Sequence, residues 1–124
     1  MFPSVFDLLY ADAAVAALVG TRIYRHGSAP QDVAAPYITW FVVYGAPENH
    51  LDGTPPADNW TIQIDCWSNN TGTGAVQVET LALAVRNAIE PHHYIEGVVV
   101  NERDPETMRY RIGLQCGWWD MRDS

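Results

Sequence analysis

The chain is expected to be an α+β protein: one mainly antiparallel β-sheet of about four to five strands, with two helices packed mainly on one face. Three observations predict it. Residues 60–67 alternate between apolar and polar side chains, as a half-solvated antiparallel strand does. Residues 74–89 carry apolar side chains at three- and four-residue spacing, as an amphipathic helix does. The elements follow the order α-β-β-β-α-β-β without linker, repeat or low-complexity tract, for which helices gathered on one side of a single sheet are the simplest solution. At 124 residues the chain is expected to form one domain over 1–124.

Residues 3–11 and 12–19 read as one broken helix or two short ones. Pro3 suits a first helical turn, and Asp12 can cap a second segment from Ala13 to Val19. Phe6, Leu9, Val15, Leu18 and Val19 supply the apolar stripe, and Gly20 closes the unit. A short strand, Arg22 to Arg25, leads into a loop punctuated by Gly27 and Pro30. Tyr37 to Tyr44, nearly all β-branched or aromatic, reads as a strand. Gly45 to Asn59 contains Pro47, Asp52-Gly53, Pro55 and Pro56 and shows no periodicity. Connections of that length inside a compact domain usually carry function or move.

In the strand Trp60 to Trp67, the residues Trp60, Ile62, Ile64 and Cys66 face one side, and Thr61, Gln63, Asp65 and Trp67 the other. The helix Gly74 to Ile89 buries Val78, Leu81, Ala82, Val85 and Ile89, and Pro91 stops it. Two last strands, Ile95 to Glu102 and Met108 to Trp119, are joined through Asp104-Pro105. In the second of them Tyr110, Ile112, Leu114, Cys116 and Trp118 share a face, opposite Arg111, Gly113, Gln115, Gly117 and Trp119.

Composition narrows function by exclusion. The chain is 48% hydrophobic and 18% charged, in the globular range. No apolar run is long enough to suggest a membrane span. The N-terminal stretch carries Asp7 and Asp12 and no basic region, so a secretory leader is not expected and synthesis in the host cytoplasm is. All basic side chains are arginine, and the net charge of −8 argues against a sequence-independent grip on nucleic acid.

No cofactor, metal or catalytic residue is expected. Cys66 and Cys116 lie among alternating apolar residues and read as buried free thiols; a cross-strand bridge is conceivable if their strands are neighbours. His92-His93 after Pro91 lack further ligands at metal spacing and read as solvated loop residues. Asp65 could act as a base, but a cross-sheet pairing with Arg111 is the expected role. With five Trp and six Tyr, aromatic side chains are the heavier clue. Trp67 and Trp119 fall on the polar face of their strands, where either a second layer covers them or they form an exposed patch for subunit contact. Arg22 and Arg25 are either solvated strand-end charges or partners for a neighbouring subunit.

An ordered set of residues adds a resemblance. Gly20-Thr21-Arg22-Ile23-Tyr24, Ala29-Pro30-Gln31, Pro36-Tyr37, Leu51-Asp52-Gly53, the strand with Gln63, Asp65 and Trp67, and the helix with Leu81, Val85 and Arg86 follow a short Ala-rich N-terminal helix. In that order and spacing the chain resembles the tail terminator, or tail completion, proteins of long-tailed bacteriophages. Pro91-His92-His93 and Gly117-Trp118-Trp119-Asp120 stand outside the family pattern.

The resemblance implies a non-enzymatic virion protein that assembles with itself into a hexameric ring. That ring caps the head-proximal end of the tail tube, stops polymerisation and presents a docking surface to the head–tail connector or stopper protein. DNA passes through the lumen without specific binding, and no membrane is involved. The expected contact residues are Arg22, Arg25, Glu48, Asp52, Trp67 and Trp119. Six copies at −8 sum to 6 × −8 = −48, so the isolated protein is expected to be a monomer that closes into a ring on the tube. The alternatives are a head-side connector or stopper ring, and a dimeric small-molecule-binding α+β domain.

Overall fold

The computed structural model describes residues 3–25, 27–30, 32–47 and 57–121. Helix α1 (Val5–Ala11) and helix α2 (Ala13–Val19) are separated at Asp12, whose extended backbone breaks the helix and whose carboxylate accepts the Val15 N–H at 3.0 Å. That bond satisfies one of the free N–H groups at the start of α2. Gly20 ends α2 at φ 58°, a left-handed conformation that a residue without Cβ adopts at little cost. The expected apolar stripe holds at Leu9, Val15 and Val19, which are buried, while Val5 rather than Phe6 faces the core from α1.

The remaining elements are strand β1 (Ile23–Arg25), β2 (Tyr37–Pro47), β3 (Ala57–Trp67), helix α3 (Gly74–Ile89), β4 (Tyr94–Arg103) and β5 (Tyr110–Met121). They form one five-stranded sheet in the order β1-β2-β3-β5-β4. The β1–β2 pair is parallel and every other pair is antiparallel. The expected α+β class, one sheet with its helices on one face, is what the chain adopts. The long Gly45–Asn59 segment is shorter than expected. Gly45 pairs with Trp60, Ala46 with Asn59 and Pro47 with Asp58, so β2 and β3 continue as a hairpin well past their hydrophobic runs. Backbone pairing carries those residues without help from apolar alternation. Glu48 and Asp52 lie outside the described residues.

Three helices cover one face of the sheet. Val5, Leu9, Val15 and Val19 from α1 and α2, and Val78, Leu81, Val85 and Ile89 from α3, meet Ile38, Trp40, Trp60, Ile62, Ile64, Cys66, Ile112, Leu114, Cys116 and Trp118 in one core. Burial of each large aliphatic side chain in such a core contributes about 1.5–3 kcal/mol. Cys66 pairs in register with Ile112, and Ile62 with Cys116, so the thiols are offset by four residues, roughly 13 Å at the rise of a strand. No bridge fits that offset. Both are free and buried; burial raises both thiols' pKa values, that of Cys116 to about 12.

Ile64→Ala, at the middle of the central strand, is expected to lower unfolding free energy by about 2–5 kcal/mol. Asp12→Ala, which removes only the α2 cap, is expected to cost about 1 kcal/mol. Urea denaturation of the two variants reads both values.

Candidate interaction surface

No helix among the described residues covers the second face of the sheet. The registers place Tyr37, Thr39, Phe41 and Tyr44 of β2 there, beside Thr61, Gln63, Asp65 and Trp67 of β3, Arg111, Gly113, Gln115, Gly117 and Trp119 of β5, and Tyr94, Gly97, Val100 and Glu102 of β4. This open face divides into two unlike ends.

At one end the side chains cover one another. The rings of Tyr37 and Trp67 stack at 5.8 Å and 5°. The Arg109 guanidinium lies 5.2 Å from the centre of the Tyr37 ring, and that of Arg111 lies 5.1 Å from the centre of the Trp67 ring. The Trp67 indole N–H donates to Thr39 Oγ1 at 3.0 Å, and Arg109 Nη2 donates to the Val33 carbonyl at 3.0 Å.

Beneath this layer Asp65 is only 3% exposed. Its Oδ2 accepts from Arg111 Nη2 at 2.8 Å and its Oδ1 from Gln63 Nε2 at 2.8 Å. Arg111 Nη1 also faces Glu102 at 3.6 Å. The expected Asp65–Arg111 pair therefore forms across neighbouring strands. With both oxygens engaged, the carboxylate is a structural tie. Among the described residues, Trp67 is covered by Arg111 and Tyr37 on its own face.

At the other end, next to the β2–β3 hairpin, aromatic side chains stand in water. Tyr44 is 65% exposed, Tyr94 55% and Trp119 43%. Tyr44, Thr61, Gly117 and Tyr94 form one transverse row, and Trp119, opposite Asn59, begins the next. The Tyr94 ring lies over Gly117, where a Cβ would collide with it. A glycine is needed for this close approach. Tyr44 reaches the row through a bulge: Val42 pairs with Ile62 but Tyr44 with Thr61, so one residue is skipped and the alternation changes phase. Neither Tyr44 nor Tyr94 is identifiable as a surface residue without knowing this register.

The other expected contact residues lie elsewhere. Arg22 donates from Nε to the Pro36 carbonyl at 3.0 Å and from Nη2 to the Leu18 carbonyl at 3.2 Å, joining the end of α2 to the start of β2. Arg25 is exposed, with its guanidinium 5.9 Å from the Trp40 ring centre.

His93 is half-buried, unlike a solvated loop residue. Its ring stacks on Trp118 at 3.9 Å and 16°, and its Nδ1 accepts the Trp119 backbone N–H at 3.1 Å. The two segments outside the family pattern, 91–93 and 117–120, thus pack against each other. His92, His93 and Trp118 line a cleft with Ser4, Asp7, Leu8 and Ala11 of the α1 segment. Burial, with a smaller contribution from neighbouring His92, holds the His93 pKa below its ordinary value. Because Nδ1 is already bonded to backbone, that nitrogen is not available as a base. No group of three or more His, Cys, Asp or Glu able to hold a metal occurs among the described residues.

The described part of this face offers aromatic contact area. Residues 3–119 match the family described as tail completion protein gp17. The chain belongs to that family. It is therefore a structural and assembly protein of phage tails, and the family is not one of enzymes. A solved structure described as the virion of a native gene transfer agent particle shares the fold: the TM-score is 0.72 at 22% identity, over 91% of this chain and 88% of that one. A search of curated proteins finds no match.

Arg111→Ala removes one donor from a buried carboxylate and is expected to cost about 2–3 kcal/mol. Asp65→Asn in the same background is expected to recover part of it; urea midpoints of the two variants test this. For His93 the linkage sign follows from the lowered pKa. The folded protein binds the proton less readily than the unfolded chain, so this stabilisation is full above about pH 6.5 and lost as pH falls below it. Thermal unfolding between pH 7 and 5 should show a steeper loss in the parent than in His93→Phe, which keeps the stack and removes the titration.

Proposed function

We propose that this member of the tail completion family acts as a tail terminator. Six copies close into a ring at the head-proximal end of the tail tube, stop its growth and offer the head connector a docking surface. The observation that carries this reading is the exposed Tyr44, Tyr94 and Trp119 group on an uncovered sheet face, in a chain whose family completes tails. Aromatic residues of this kind dominate the energetic centres of protein interfaces. The perturbed His93 next to Trp119 has its Nδ1 engaged by the Trp119 backbone N–H.

This patch lies beside the β2–β3 hairpin, so patch and hairpin together form the contact with the next component of the particle. Trp119 belongs to that contact. Trp67 supports it indirectly, by holding the stacked end of the same face rigid. Arg25, and Glu48 and Asp52 outside the described residues, are further contact candidates. The ring itself carries a formal −48 if six chains contribute −8 each. Such a charge opposes closure at low salt and repels, rather than binds, the DNA that passes through the lumen. The resulting particle component has no membrane contact and assembles in the host cytoplasm.

The test is a stop codon at Trp40 in the encoding element, read by electron microscopy of the particles produced. Overlong headless tails beside full tailless heads are the expected outcome. Tails of normal length that fail to attach would assign the chain to the head-side connector, and intact particles would remove both assignments. With the chain restored, Trp119→Ser combined with Tyr94→Ser should leave the fold intact and reduce the fraction of joined particles at least tenfold. Sedimentation of the isolated protein at low salt should give a monomer; a stable hexamer without tube would contradict template-dependent closure.

A further inference from the structure

We infer that the hairpin end of the open sheet face receives an arginine-bearing segment of a different protein of the particle. The guanidinium of that segment lies against the rings of Tyr94 and Trp119, with Glu96 as its counter-charge. This rests on the contact proposed above for the same patch and names the chemistry of its partner.

The rest of the molecule sets the pattern. Trp40, Tyr110, Tyr37 and Trp67 each carry a guanidinium over the ring, from Arg25, Arg103, Arg109 and Arg111 at 5.9, 5.0, 5.2 and 5.1 Å from the ring centre. These distances fall within the roughly 6 Å over which the negative face of an aromatic ring attracts a cation. Among the described residues no arginine lies over Tyr44, Tyr94 or Trp119, which stand exposed. One end of the open face thus has its cations and the other lacks them.

The hairpin end is built to take one. The Tyr94 ring lies over Gly117, where a Cβ would collide with it. One face of the ring therefore rests on the sheet and the other is turned to solvent. Two residues further on, Glu96 is exposed, and its Oε2 accepts from Gln115 Nε2 at 3.0 Å. A neutral amide orients the carboxylate without neutralising it, and no arginine pairs with Glu96 among the described residues. Asp58 and Asp120 occupy facing register positions one step beyond Asn59 and Trp119. Segments 57–61, 94–98 and 115–121 hold these three acidic residues and no arginine or lysine. Such a surface attracts cations and repels the phosphates of nucleic acid or of an anionic lipid. Arginine fits it better than lysine, because a guanidinium stacks on a ring and donates to a carboxylate in its own plane.

A second copy of this chain is a poor source of that cation. Arg22, Arg103 and Arg109 donate to backbone carbonyls. Arg86 pairs with Glu90, Arg111 with Asp65 and Glu102, and Arg25 lies over Trp40. Arg122 lies outside the described residues. Each further copy also brings a net charge of −8. Charge complementarity therefore points to a basic segment of another sequence.

Photo-cross-linking in purified particles tests it. With p-benzoylphenylalanine in place of Trp119, irradiation followed by mass spectrometry is expected to join this chain to a different protein, with an arginine at or next to the linked residue. A link to another copy of this chain overturns the inference. So does a link to a segment without arginine at that place, or no link at all in particles that contain the variant.

A charge reversal gives a second readout. Glu96→Arg puts a cation where the partner's should lie and is expected to lower the fraction of joined particles about tenfold, as loss of one desolvated cation–π contact would. Glu79→Arg makes the same change of charge on the exposed side of α3 and should stay near the parent. Equal losses in the two variants would overturn the inference. Both positions are exposed, so both variants should fold, which circular dichroism checks. The stop-codon experiment reads tail capping separately. An arginine-bearing cross-link beside unchanged tail length keeps this partner and removes the capping role, whereas overlong tails without the cross-link keep the role and remove the partner.

Discussion

The sheet of this protein has helices on one side only, and most other features of the molecule answer to that arrangement. On the covered side the structure is conventional: apolar residues of β2, β3 and β5 meet α1, α2 and α3 in one core. On the open side no second layer among the described residues shields the half-apolar strand surface. The side chains of that face cover one another instead. Arg111 lies across Trp67, Tyr37 stacks on Trp67, Arg109 lies across Tyr37, and Asp65 ties Arg111 down from beneath. Where that layer ends, toward the hairpin, Tyr44, Tyr94 and Trp119 stand in water.

This way of covering a face explains a compositional oddity. Seven basic residues are present and none is lysine. Arg25, Arg103, Arg109 and Arg111 all hold their guanidinium groups over aromatic rings. A planar, weakly hydrated cation stacks on a ring and still donates sideways to carboxylates and carbonyls; a compact, strongly hydrated ammonium does neither as well. Arginine is therefore used here as a covering group as much as a charge, which is compatible with a chain that remains acidic overall.

Four groups with chemical potential, Asp65, His93, Cys66 and Cys116, are spent on structure. Asp65 has both oxygens bonded, His93 accepts a backbone N–H, and the two thiols are buried out of register with each other. Among the described residues, the open face leaves the aromatic side chains of Tyr44, Tyr94 and Trp119 in water. The His93–Trp118 stack has a further consequence for the two segments outside the family pattern. They are joined by that stack and by the Trp119 N–H bond to His93 Nδ1.

Much of the fold was legible because it is written in local periodicity. The alternation in residues 60–67 assigned β3 and its two faces, the three- and four-residue spacing in 74–89 assigned α3 to the residue, and Asp12 marked the break between α1 and α2. Even the Asp65–Arg111 pair could be anticipated, since both residues fall on the polar face of neighbouring strands. Tertiary structure alone decided the rest. Phase is lost at a bulge, so Tyr44 joined the open face against simple alternation. Backbone pairing is blind to side-chain pattern, so β2 and β3 ran on into a segment with no periodic signal. Side-chain coverage depends on cross-strand neighbours, so two tryptophans alike in sequence context parted, Trp67 beneath an arginine and Trp119 in solvent. Periodicity records which way a residue points; only the assembled sheet determines what stands opposite it.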